Sequence, residues 1–312
     1  SDNDERRIRA IAISILESQT QNGHTIYPCN KLIIDMNELA IAPKCNVNKD
    51  VMDSIAEFLE KEIVIVKMKN GDNAYQLFRL QEIDKLIRNS IIKRINSKKR
   101  HVVDEDWRVI IDKDFGETKE ELEIKARQEK AAILKELAES RLSVLIGGAG
   151  TGKTTLLALL CSSKKIEDGS ILLLAPTGKA RVKMSQEMAR RNIRYKAKTV
   201  AQFLIQNGRF NFDTMRYSLS DIPAKDIPET VIIDESSMLT EEMFGALIQA
   251  LKPAGRIIFV GDSNQLPPIG AGRPFVDLVR YLKKDLAPNV FPKVCKSYGE
   301  LIITRRQKAQ AA

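Results

Sequence analysis

Residues 143–155 read SVLIGGAGTGKTT, and LLALL follows directly. An apolar run enters a stretch of the form G-x-x-x-x-G-K-[ST], with Gly147 and Gly152 as its outer glycines. That order predicts a short buried strand, a tight loop and the start of a helix, so the chain is committed to an α/β sheet. The glycines let the loop fold back with its N–H groups pointing at phosphate oxygens, and the helix adds unpaired N–H groups and a positive dipole end. Gly148, Gly150, Thr151, Gly152 and Thr155 belong to this cradle. Lys153 is expected to reach the β- and γ-phosphates, and the Thr154 hydroxyl to ligate Mg²⁺. The stretch predicts a nucleoside triphosphate site.

Other functions are narrowed by composition. A length of 312 residues allows about two domains. With 43% hydrophobic and 29% charged residues, the chain has material for real cores and a water-facing surface. No apolar run approaches the roughly 18–20 residues that span a bilayer, and the charged start SDNDERRIRA does not read as a secretory signal. Cys29, Cys45, Cys161 and Cys295 show no CxxC pairing or metal-ligand spacing and read as reduced thiols of a cytoplasmic protein. Two histidines, His24 and His101, argue against a histidine metal site or triad. The formal charge of +9 is compatible with a polyanionic partner without naming one.

Before the glycine loop, residues 4–20, about 30–41 (with Asn30 as cap) and about 48–60 show helical apolar spacing. IVIVKMK and AYQLFRL around Asn70-Gly71 predict a hairpin. Three helices and a hairpin make residues 1–100 a winged-helix-like α+β domain, closed by a helix over about 80–98 that ends in the basic run KRINSKKR. Residues 101–118, with the single tryptophan Trp107, read as a linker, and 119–312 as the P-loop domain, opened by a charged helix over about 119–139.

After the loop, ILLLAPTGKAR predicts a second strand ending at Pro176, with Thr177-Gly178 opening a helix. Ligands of open α/β sheets sit at such strand ends. Lys179, Arg181, Lys183, Arg190, Arg191, Arg194, Lys196 and Lys198 follow, with Glu187 almost the only acid among them, a candidate track for a phosphate backbone. TVAQFLIQ reads as a short helix, and residues 208–220 as a hairpin with Phe210, Phe212 and Tyr217. In TVIIDESSM an apolar strand delivers Asp234 and Glu235 at its end: Asp234 to hold Mg²⁺, Glu235 to orient and deprotonate an attacking water. The second acid favours an NTPase over a nucleotide kinase. The strand RIIFV then leads to GDSNQLPPIGAGRPF, where Asp262 and Gln265 fall near a γ-phosphate. A last apolar segment, LIIT, precedes Arg305-Arg306-Gln307.

GGAGTGKTT, APTGKAR, VIIDESSM and VGDSNQLPPIGAGRP, in this order, resemble the RecD-like DNA helicases of superfamily 1B. The likeness is strong over about 120–307 and weaker over 10–98. It implies a RecA-like ATPase core of parallel strands flanked by helices, using ATP and Mg²⁺ to move 5′-to-3′ on single-stranded DNA. By position, Gln128 resembles the family's adenine-contacting glutamine, Gln265 its motif III glutamine, and Arg306 the arginine of its YRQ motif. Pro176, Thr177 and Gly178, with Lys179, Arg181, Lys198 and Thr199 nearby, fall where the family meets DNA, and 208–220 where it carries a strand-separating pin. Ala201 stands where many members have His, and Thr304-Arg305 replaces an aromatic before the arginine. The resemblance also implies a second RecA-like domain, in cis or in trans, carrying another arginine. The expectation is a chain that binds ATP–Mg²⁺, hydrolyses it slowly and does not unwind DNA alone. A nucleotide-gated binding module without translocation is the rival reading, and phosphotransfer to a small molecule ranks last.

Overall fold

The computed structural model describes residues 4–97, 101–168, 170–195, 197–220, 222, 224–262 and 264–304. Helix α1 (Glu5–Gln21) starts where the Asp4 carboxylate accepts from the Arg6 amide, and its buried face is Ile8, Ala12, Ile15 and Leu16. After β1 (Tyr27–Pro28) comes α2 (Cys29–Glu38). Asn30 lies inside this helix rather than capping it, because Pro28 already stands at the cap position two residues earlier. The helical pattern over 48–60 is broken at Ile55 into α3 (Lys49–Ser54), capped by Asn48, and α4 (Ala56–Leu59). β2 (Ile63–Lys67) and β3 (Asn73–Leu77) form the expected antiparallel hairpin, with Gly71 at φ 90° in its turn. β1 pairs with the other side of β3.

Helix α5 (Phe78–Ile95) carries Leu80, Ile83, Ile87, Ile91 and Ile95 on one buried stripe. That stripe joins the N-terminal elements to the large sheet, since one hydrophobic cluster runs from Ile8 through α5 to Phe244 and Phe259.

The stretch 101–118, expected to be a linker, contains helix α6 (Trp107–Phe115). The Asp106 carboxylate accepts from the Arg108 and Val109 amides, and Trp107 and Ile111 are buried in a second apolar cluster with Ile133, Leu134 and Leu137. Those three belong to α7 (Glu121–Glu139). A cap and two buried side chains are enough to fix a nine-residue helix that sequence periodicity did not reveal.

The elements that follow are β4 (Leu142–Gly147), α8 (Lys153–Ser162), α9 (Lys164–Glu167), β5 (Ile171–Ala175), α10 (Gly178–Arg190), β6 (Ala197–Thr199) and α11 (Val200–Gln206). The small hairpin β7 (Phe210–Asn211) and β8 (Arg216–Tyr217) precedes β9 (Thr230–Ile233), α12 (Glu241–Ala250), β10 (Arg256–Gly261) and α13 (Pro274–Leu282). β11 (Lys293–Cys295) and β12 (Tyr298–Leu301) end the described chain. Seven strands form one sheet in the order β11-β12-β4-β10-β9-β5-β6, parallel throughout except for β11. The fold is therefore α/β, a largely parallel sheet flanked by helices. β4, β9 and β10 are buried along their whole length, as continuous apolar strands in the middle of such a sheet must be. Of the expected segment LIIT only Leu301 is in a strand, which instead extends back to Tyr298.

α12 lies against α5, and Gly245 makes the close approach possible: a Cβ there would meet Ile83 Cγ2 at 2.6 Å. Arg256, the first residue of β10, is buried, and its Nε donates to the Ala138 carbonyl (2.8 Å) and its Nη1 to Thr230 Oγ1 (2.6 Å). Among the described residues no helix is long and apolar enough to cross a membrane.

Candidate nucleotide site and DNA-contact surface

The strand order places the ends of β4, β9, β10 and β5 side by side, and the sequence puts a polar loop after each. The loop after β4 bends sharply, with Gly150 at φ 80° and Gly152 at φ 90°, values that favour glycine. Gly147 is required for a different reason: a Cβ there would lie 2.5 Å from Thr151 Oγ1 and 3.2 Å from Leu301 Cβ. Thr151, buried, donates its hydroxyl to the Gly148 carbonyl at 2.9 Å and holds the loop closed on itself. Gly152 caps α8 without a side chain, so the first helical amides face the loop.

This loop forms one wall of a cavity of about 500 Å³ lined by Gly148–Thr155 together with Asp234, Glu235 and Gln265. Lys153, Thr154, Asp234, Glu235 and Gln265, scattered over more than a hundred residues of sequence, are thus brought to one place. Lys153 Nζ donates to the Gly147 and Gly148 carbonyls at 2.5 and 3.1 Å. Burial pushes its pKa down, while Asp234, Glu235 and Asp262 push it up. Burial pushes the Asp234 carboxyl up, against a hydrogen bond from the Glu235 amide (2.9 Å). Glu235 sits in the left-handed region at φ 51°, ψ 39°, a conformation that costs a non-glycine residue about 1–2 kcal/mol. Gln265 is tethered to the β9 side, with Ser237 Oγ 3.5 Å from its Oε1, and its amide donates to the Asp262 carbonyl at 3.2 Å.

The residues fit a nucleotide with one divalent cation. Among the described residues no group of three or more His, Cys, Asp or Glu could hold a metal alone. A buried carboxylate and a hydroxyl on facing loops match the sparse protein ligation of Mg²⁺, which takes its other ligands from water and phosphate.

Four residues line the cavity without having been expected there: Phe115, Lys130, Lys183 and Glu187. Phe115 and Lys130 come from α6 and α7, with Lys130 Nζ 5.9 Å from the Phe115 ring centroid. Gln128 is exposed and lies outside the lining. Two residues along a helix is about 200° of rotation, so a helix that turns Lys130 inward turns Gln128 away. Helical phase relative to β4 was the signal available in the sequence. Arg306 lies outside the described residues.

The DNA-contact candidates gather at the same sheet edge. Ala175 pairs with Thr199 and Leu174 with Lys198, so Pro176, Thr177 and Gly178 emerge beside Lys198 and Thr199. Both threonine hydroxyls are used locally: Thr177 caps α10 through the Ala180 amide, and Thr199 caps α11 in a reciprocal box with Gln202. Lys179 and Lys198 are exposed, and Arg181 half-buried. The basic track is thinner than the sequence suggests. Lys183 faces the nucleotide cavity, Arg191 is paired with Asp114 and Glu187, and Lys196 lies outside the described residues.

The hairpin over 208–220 forms, with Phe210 edge-on to Phe212 and Tyr217. It is held from the N-terminal side. Arg216 donates to Glu17 of α1 at 2.9–3.0 Å, Glu17 also accepts from Arg79 at 2.7 Å, and Arg79 pairs in turn with Glu242 in the first turn of α12.

The family described as "AAA domain" matches residues 124–287. An uncharacterized protein of Methanocaldococcus jannaschii is 31% identical over 307 residues, spanning 89% of this chain and 26% of that one. The ATP-dependent RecD2 DNA helicase of Deinococcus radiodurans is 35% identical over 156 residues, 49% of this chain and 20% of that one. The RecBCD enzyme subunit RecD of Mycolicibacterium smegmatis is 31% identical over 172 residues, 50% of this chain and 30% of that one. The chain spans 20% to 30% of the length of these relatives.

Proposed function

We propose, for a chain that belongs to the AAA-domain family and is similar over about half its length to the RecD2 helicase and the RecD subunit, that residues 119–312 form the ATP-binding motor domain of a 5′-to-3′ DNA helicase. The observation that carries this is the convergence of the glycine loop, Asp234, Glu235 and Gln265 on one cavity at the ends of parallel strands. Loop amides and Lys153 bind the triphosphate. Thr154 and Asp234 would hold Mg²⁺, which neutralises developing phosphate charge when bound. Glu235 accepts the proton of the attacking water, and Gln265 contacts the γ-phosphate and reports its loss to the loop that follows. Phe115 and Lys130 form the far wall. The exposed surface around Pro176–Lys179, Arg181, Lys198 and Thr199 contacts single-stranded DNA, and the 208–220 hairpin is the strand-separating pin. Residues 1–100 act as a winged-helix-like module beside it.

No arginine lines the cavity among the described residues. An arginine supplied across a cleft is worth about 10³–10⁵ in rate for P-loop enzymes, and Arg306 and a second RecA-like domain, in cis or in trans, are its sources here. This chain alone is expected to bind ATP–Mg²⁺, to hydrolyse it slowly and to leave duplexes intact. Nucleotide binding, single-stranded DNA affinity with ADP and with a non-hydrolysable ATP analogue, and turnover are the measurements. ATP binding unaffected by Lys153→Ala would refute the site. Fast DNA-stimulated turnover by the monomer would refute the need for a second domain.

A further inference from the structure

On a chain of net charge +9, one cleft is acidic. It lies between α5 and α13 at the start of α12, with Ile87, Ile91, Ile92, Leu278 and Tyr281 as apolar walls and Glu241 at its base. Asp84 and Asp277 stand at the two sides. The charged groups lining it are these three carboxylates and Arg88, whose Nε donates to both Asp84 oxygens at 2.8–2.9 Å, and Lys284 Nζ stands beside it, 5.9 Å from the Tyr281 ring centroid. Among the described residues Asp277 has only a loose partner, Arg280 at 3.3 Å, on a surface where both are mostly exposed.

Glu241 is the unusual member. It is 8% exposed, yet among the described residues no hydrogen-bond donor reaches its carboxylate. Burial, with Asp84 and Asp277 nearby, raises its pKa to about 7. Ionising a buried carboxyl without a donor is costly unless a cation comes to it. The cavity is about 160 Å³, the share of about five waters, which suits one long side chain and excludes a nucleotide.

We propose that this cleft is a docking site for a single arginine side chain of a partner protein. The methylene stem lies along Ile87, Ile91 and Leu278, the guanidinium plane meets the Tyr281 ring, and its N–H groups donate to Glu241. The site is separate from the nucleotide cavity and uses none of its residues.

The test is an amide-resolved NMR titration of the whole chain with N-acetyl-arginine amide, beside the neutral isostere N-acetyl-citrulline amide. Shifts confined to α5, α13 and the start of α12 are expected, with the citrulline probe about tenfold weaker or silent. Binding tightens as pH rises through about 7, where Glu241 ionises. Glu241→Gln loses about tenfold in affinity, and Asp277→Asn, at an exposed position outside the core, serves as a second variant expected to weaken binding. A glycine-flanked arginine tripeptide binds at least as tightly as the single-residue amide if the source is a polypeptide. Equal binding of the arginine and citrulline probes, unchanged affinity in both variants, shifts elsewhere, or rejection of the tripeptide would each overturn the proposal.

Discussion

Gly245 offers a sharp test of how the N-terminal helices are joined to the sheet. An added Cβ would lie 2.6 Å from Ile83 Cγ2, about 1 Å inside the normal carbon–carbon separation. Ile83 is 5% exposed, and its Cγ2 is attached at the branch point, so only a change of χ1 or a separation of α5 from α12 relieves the overlap. Such overpacking costs about 1–3 kcal/mol. Replacing glycine by alanine inside a helix returns about 1 kcal/mol. The clash wins, and Gly245→Ala is expected to destabilise the protein by about 1 kcal/mol. Ile83→Ala removes the obstructing methyl at its own cost of about 2–5 kcal/mol. In that background the second substitution loses the clash and keeps the helix gain, so its sign reverses to a stabilisation of about 1 kcal/mol. Urea unfolding followed by far-UV circular dichroism, with equal m-values across the four proteins, reads the cycle. If Gly245→Ala stabilises both backgrounds equally, the close contact of α5 with α12 is not what the geometry states.

Three further outcomes are expected. Glu235→Gln should keep affinity for an ATP analogue and lose about 10²–10⁴ in hydrolysis, the range of a general base; a parallel loss of nucleotide binding would assign it a binding role instead. Glu17→Ala leaves Arg216 and Arg79 without their shared carboxylate and should loosen the 208–220 hairpin, seen as faster limited proteolysis there, and an unchanged cleavage pattern would show that the hairpin holds itself. Glu241 has a folded-state pKa raised from 4.5 to about 7, so its contribution to stability is fully present below 4.5 and is lost as pH rises through 7. Glu241→Gln should therefore be more stable than the parent by about 3 kcal/mol above that pH and equal to it near the lower value, as unfolding midpoints at several pH values would show.

The candidate nucleotide site was legible because its pattern is local in sequence: Gly147–Thr155 bends and caps a helix within a dozen residues, and Asp234-Glu235 ends an apolar run that reads as a buried strand. The α/β sheet followed from the same runs. What sequence concealed is set by distant contacts. Phe115 and Lys130 reach the cavity because Trp107 and Ile111 seat α6 on α7, while the short, charged segment 101–118 shows no periodic pattern. Lys183 reads as one more surface base of the track until the phase of α10 brings it, still exposed, to the lining of the cavity. Glu17 and Arg216 are 199 residues apart, and nothing in either neighbourhood announces the other. The winged-helix reading of residues 1–100 rests on element order alone.

The pairing of β12 with β4 has a kinetic consequence. Leu301 lies beside Gly147 and crowds the position that a Cβ would take, so the strand that aims the phosphate loop gains one of its two neighbours only after about 150 further residues have been made. Its other neighbour, β10, also comes more than a hundred residues later. Contacts of that separation are entropically slow to close. On the ribosome, the phosphate loop is therefore among the first parts of the domain to be synthesised and among the last to be locked in place. A nascent chain arrested short of residue 298 should hold ATP poorly even with Lys153, Thr154, Asp234 and Glu235 already outside the exit tunnel.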